Sequence, residues 1–154
     1  DISIIYALRS VLLAYDRKVE ANRAHNLSDK GYLVICDRYP GLFSGKMDSP
    51  RIPQDPHRDR IYQYCYRIEQ HFYHTIRPAE MLFHLQAPVE IAIERNNNRE
   101  KAGKETEEEL RERFFVNSDA TFLAATYKYV DATAAHDIVF NEVINGIWGE
   151  DFDG

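Results

Sequence analysis

The stretch Tyr32-Leu33-Val34-Ile35-Cys36-Asp37-Arg38-Tyr39 constrains this chain most, because an apolar run of strand length ends there in an acid, a base and an aromatic. Bounded by Gly31 and Pro40, such a run reads as a strand buried on both faces, the pattern of parallel α/β sheets. Ligands of those sheets bind outside the carboxyl ends of the strands. Asp37 and Arg38 are therefore the first site candidates, against the plainer reading of a salt-bridged strand end that solubilises a turn.

The remaining segments alternate in period. Ile4, Ile5, Leu8, Val11, Leu12, Tyr15 and Val19 recur at helical spacing and predict a helix over about residues 2–28. A Pro-rich loop follows the strand from Pro40 to Pro56, and loops of that length are usually functional or mobile. Ile61, Tyr64, Cys65, Ile68 and Phe72 mark a second helix, stopped by Arg77-Pro78. Met81–Leu85 reads as a buried strand, and Pro88 suits the first position of a helix carrying Val89, Ala92 and Ile93. After a polar break near 95–105, Thr106 and Glu109 have capping-box spacing for a helix with Leu110, Phe114 and Phe122. Tyr127–Val130 is a short strand, and Val139, Phe140, Val143, Ile144, Ile147 and Trp148 form the stripe of a closing helix. This order is the second part of a doubly wound sheet within one domain over 1–154. A sheet so narrow implies further strands before Asp1.

With 154 residues, 44% of them apolar, there is enough for one core. A net charge of −6 with dispersed Lys and Arg argues against a nucleic-acid surface, so an anionic ligand would be held by a few placed arginines. Cys36 and Cys65 have neither disulfide nor metal spacing and are expected to pack as small hydrophobes in a reducing compartment. No signal peptide or membrane-spanning apolar run is present in the sequence, so the expectation is a cytoplasmic protein with no membrane partner.

Four motifs in order carry a resemblance: Leu12-Leu13-Ala14-Tyr15-Asp16-Arg17, Asp37-Arg38-Tyr39, Leu85–Arg95 leading into an Arg/Asn-rich break, and Tyr129-Val130-Asp131-Ala132-Thr133. Together they resemble thymidylate kinase and its relatives, the P-loop nucleoside monophosphate kinases, over nearly the whole chain. The resemblance implies a doubly wound, three-layer parallel sheet whose N-terminal strands and phosphate-binding loop this sequence does not contain. It implies ATP-dependent phosphoryl transfer to a nucleoside monophosphate-type acceptor, with ATP and Mg²⁺, in the complete protein; a homodimer stays open as its assembly. A non-catalytic kinase-like scaffold, or a kinase for a non-nucleotide acceptor, is the alternative.

By resemblance Arg38 grips the acceptor phosphate, Asp37 lies near the Mg²⁺ and phosphates, Arg17 contacts the acceptor base, and Leu13 and Tyr39 belong to the acceptor pocket. Arg95 and Arg99 flank the lid-like break, and Asp131-Ala132-Thr133 is the segment whose backbone approaches adenine. A guanidinium suits these tasks because its planar fork matches phosphate oxygens. The plainer readings are an exposed helix arginine for Arg17, solvated helix-end arginines for Arg95 and Arg99, and a helix cap for Thr133. Leu13 stands where the family has a stacking aromatic, which puts thymidylate itself in doubt as the acceptor. Gly41-Leu42-Phe43-Ser44-Gly45-Lys46-Met47 is no Walker A loop: three residues separate its glycines instead of four, and Met follows the Lys.

Overall fold

A computed structural model describes residues 3–42, 48–98, 103–118 and 120–149. The described residues form five helices and a two-stranded parallel sheet, which makes the chain mixed α/β. They fall into two compact units, Asp1–Ala79 with Asp119–Leu123, and Glu80–Ser118 with Ala124–Gly154.

The first unit is a helical hairpin carrying two irregular segments. Helix α1 (Ile4–Ser28) starts where the Ser3 side chain accepts from the Tyr6 amide, satisfying one of the donors a helix N-terminus leaves open. It ends at Gly31, whose φ of 86° lets the chain turn back so that the Tyr32 amide reaches the Leu27 carbonyl. Helix α2 (Arg60–His74) is opened in the same way by Asp59, which accepts from the Tyr62 amide.

The face that α1 buries is not the apolar stripe expected for it. Ile5, Leu8, Leu12 and Tyr15 are half or more exposed, while Ala7, Ser10, Ala14, Ala21 and His25 are buried. Small residues seven apart let the α2 backbone approach closely, whereas a seam of Leu and Tyr would hold it off. Helix α2 is rotated correspondingly: Tyr62, Cys65, Glu69 and Tyr73 point inward, and Ile61 and Tyr64 outward.

Residues 32–37 are the largest departure. They run without a strand assignment, and Tyr32, Leu33, Ile35 and Cys36 are exposed rather than buried on both faces. A strand exists only through ladder hydrogen bonds, and among the described residues none pairs with this run. The segment after it differs in the opposite sense. Ser49, Pro50 and Ile52, within the loop expected to be functional or mobile, are fully buried, and Ile52 packs with Ala7, Tyr62 and Cys65. Residues 43–47, including most of the Gly-Lys stretch, lie outside the described residues.

In the second unit, β1 (Ala79–Gln86) and β2 (Ala124–Asp131) run in the same direction, since the Ala79 amide bonds the Leu123 carbonyl and the Ala132 amide bonds that of Gln86. Helix α3 (Val89–Asn97) follows Pro88, which sits at the cap rather than at the first helical position. Helix α4 (Glu107–Asn117) is opened by the expected capping box, Thr106 and Glu109 bonding each other's backbone; Phe122 lies outside it, in a bridge with Gly41. Ile93 and Leu110 are the buried residues of α3 and α4. Helix α5 (His136–Trp148) lies close over the sheet at Gly146, where a Cβ would come within 2.6 Å of the Phe83 ring. Among the described residues no helix is long and apolar enough to cross a membrane.

Candidate functional site

A concavity of about 300 Å³ opens in the first unit between the second half of α1 and the 34–40 segment. Its charged lining comes from Arg17, Glu20 and Arg23 on α1 and from Arg38; Cys36 and Tyr39 add to its wall. Residues 17, 20, 21, 24 and 27 share one helix face because three- and four-residue steps stack along a helix. The chain reversal at Gly31 brings the 34–40 segment back alongside that face.

Arg17 and Arg38, 21 residues apart, converge on a third group. The Arg17 Nη2 donates to Asp48 Oδ1 at 2.8 Å, and Arg38 Nη1 stands 3.6 Å from Asp48 Oδ2. The Asp48 side chain is only 9% exposed, while Arg38 is 59% exposed and Arg17 26%. Asp48 has no place in the sequence-level reading, and its position in a Pro-rich loop carries no motif that would single it out. Tyr73 lies within the electrostatic reach of this group: burial pushes its phenol up to about 12, Arg17 pulls it down, and Glu69 pushes it up. It therefore keeps its proton throughout the physiological range.

Tyr39 contributes a ring to the wall, but its hydroxyl is committed elsewhere. It donates to the Arg77 carbonyl at 2.6 Å, and His25 Nε2 lies 2.8 Å from the hydroxyl and 3.1 Å from the same carbonyl. The arrangement ties α1, the 39–40 segment and the end of α2 together. Tyr39→Phe should cost about 1 kcal/mol of stability, seen as a shift in denaturation midpoint. An unchanged midpoint would mean that the hydroxyl's bond to the Arg77 carbonyl adds nothing to stability.

The other expected site residues are placed as follows. Asp37 is exposed on a bend beside Arg38, and Leu13 is half-buried one helical turn before Arg17, outside the lining of the concavity. Arg95 is exposed in the last turn of α3 in the second unit, and Arg99 lies outside the described residues. Asp131, Ala132 and Thr133 form the turn after β2. There Asp131 Oδ1 accepts from both the amide and hydroxyl of Thr133, and these bonds hold the carboxyl below its ordinary value. Thr133 is thus bound back to Asp131, and Ala135, not Thr133, precedes α5 as its cap.

Among the described residues no three His, Cys, Asp or Glu side chains group to hold a metal ion. Mg²⁺ sites that handle phosphates combine one or two carboxylates with phosphate oxygens and waters in octahedral geometry, and Asp37, exposed beside Arg38, offers one such carboxylate. What the site offers chemically is cationic: guanidinium donors facing an open, partly apolar hollow. Set against known proteins, the chain matches no family model, and no curated protein and no solved structure is similar to it at a level that assigns a family.

Proposed function

We propose that this chain carries the acceptor-binding half of a kinase-type phosphotransferase, with Arg17 and Arg38 gripping the phosphate of a nucleoside monophosphate-type acceptor. The observation that carries this reading is that Arg17 from α1 and Arg38 from the 34–40 segment both line one hollow and converge on Asp48 beside it. Two guanidiniums that meet the same carboxylate present several N–H donors, the groups that phosphate oxygens accept bidentately. The hollow's apolar lining from Ala21, Ala24, Leu27 and Val34 leaves room beside the arginines for a flat group, as small-molecule sites do. In the complete protein the reaction would be transfer of the γ-phosphoryl of ATP, within a doubly wound three-layer sheet to which residues 32–37 belong as a strand. The arginines would act by positioning and by offsetting charge on the acceptor phosphate. Asp37 would hold Mg²⁺ through one carboxylate, and the ion when bound would offset charge on the phosphates.

Binding tests this on the chain itself. Thymidine monophosphate, adenosine monophosphate and their parent nucleosides are titrated by NMR. The monophosphates should bind and the nucleosides should not, with Arg38→Ala weakening the monophosphates about tenfold to a hundredfold, the range of a charge-assisted hydrogen bond. Arg38→Lys should recover only part of this, since an ammonium lacks the fork. Equal binding of nucleoside and monophosphate, or no effect of Arg38→Ala, overturns the reading.

A further inference from the structure

Asp48 is built into the site in a way its neighbours do not explain. It is the one non-glycine among the described residues at positive φ, 57°, a conformation that Asp and Asn tolerate better than other residues but that costs energy even so. The turn is held by the Gly41 amide, which donates to the Asp48 carbonyl at 3.1 Å. The result is that a carboxylate is carried into the protein behind Arg17 and Arg38. Its Oδ1 is engaged by Arg17, and its Oδ2 is inaccessible to water with no hydrogen-bond partner among the described residues, the Arg38 guanidinium standing just beyond bonding distance. Both arginines line the hollow and Asp48 does not.

Two like charges sharing a small volume repel one another, and a long side chain such as Arg38, mostly in water, samples many rotamers. A carboxylate placed between the two offsets the repulsion and restricts the orientations both heads can take. Its charge also matters for the choice of ligand. Arg17, Arg23 and Arg38 against Glu20 and Asp48 leave one net positive charge, enough to favour a phosphate without the indiscriminate pull of three unopposed cations.

We propose that Asp48 is the positioning residue of this site, the group that fixes Arg17 and Arg38 as one phosphate-binding fork for a phosphate monoester. The proposal rests on the reading of the hollow as an acceptor-phosphate site. A competing role, Asp48 as an internal stand-in for the ligand's anion, predicts the opposite sign. A competitor would have to occupy the ligand's place, whereas Asp48 lies outside the hollow's lining.

The test uses inorganic phosphate and thymidine monophosphate as probes, titrated against the wild type, Asp48→Asn, Arg38→Ala and the double variant. Asn keeps the shape and the tolerance of positive φ, so the fold is retained while the charge is removed; Asp48→Gly, which relieves the backbone, serves as the second variant. Asp48→Asn and Asp48→Gly should each weaken both probes about tenfold, the size of one lost charge-assisted contact. In the Arg38→Ala background the same change should cost clearly less than about tenfold, because only the share it exerts through Arg17 remains. A merely structural loss would add in full in both backgrounds, and that result overturns the proposal. Unchanged or tighter binding by Asp48→Asn also overturns it, tighter binding assigning Asp48 the stand-in role. If the wild type binds and Arg38→Ala weakens it while Asp48→Asn does not, the positioning role fails alone. If the wild type binds neither probe, the acceptor-site reading fails and takes this proposal with it.

Discussion

Replacing Ile52 with alanine is expected to lower the unfolding free energy of the chain by about 2–5 kcal/mol, the usual range for emptying a fully buried aliphatic position. Ile52 belongs to no helix or strand, yet it is completely buried against Ala7 of α1 and Tyr62 and Cys65 of α2. It is the point at which the irregular segment that carries Asp48 is driven into the helical hairpin. The loss should appear in denaturant unfolding as a lower midpoint with an unchanged slope. Ile52→Val should lose much less, about 0.5–1.5 kcal/mol, because only one methyl group goes. A cost for Ile52→Ala below that of Ile52→Val would mean that the segment is a detachable flap, and the burial of Ser49 and Pro50 beside it would then have no energetic weight.

Glu69→Gln is the second large effect, expected at about 2–4 kcal/mol of destabilisation. The Glu69 carboxylate is 1% exposed on α2, and its two oxygens accept the amides of Arg51 and Ile52 at 2.9 Å each. An amide side chain turns an NH₂ toward one of these donors, so one N–H loses its acceptor inside the protein. Burial pushes the Glu69 carboxyl above its ordinary value of 4.5, with the two amides and the Arg51 guanidinium pulling the other way. A carboxyl raised on folding binds its proton more tightly in the folded state, so its stabilising share is complete below the unfolded value. That share is lost as the pH rises through the folded value. Matched unfolding curves from about pH 4 to about pH 7 should therefore show the advantage of wild type over Glu69→Gln shrinking as the pH rises. An advantage that grows over this window would mean that the two amide bonds outweigh burial. Ile52 and Glu69 act on the same segment, so the double variant should cost less than the two single losses added together.

Local rules were legible in the chain without its fold. The helices found at 4–28 and 60–74, the capping box at Thr106 and Glu109 and the strand at 79–86, expected over 81–85, all rest on short-range causes, whereas Arg17 became a candidate only through the family resemblance. Those causes are hydrogen bonds to residues three or four away and the φ that Gly31 permits. What a helix buries is a different matter, because apolar periodicity records which face is greasy and not which face meets a neighbour. Ala7, Ala14 and Ala21 form the seam, and Leu8, Leu12 and Tyr15 remain outside it, because close helix approach selects for small side chains and this selection exists only once α2 is in place. For the same reason 32–37 reads as a strand and is not one here, since a ladder needs a partner that no local pattern supplies. The tertiary structure alone made Asp48 visible. A carboxylate in a Pro-rich loop has no signature of its own, and its meaning comes from the two arginines that Ile52 and Glu69 bring it to meet.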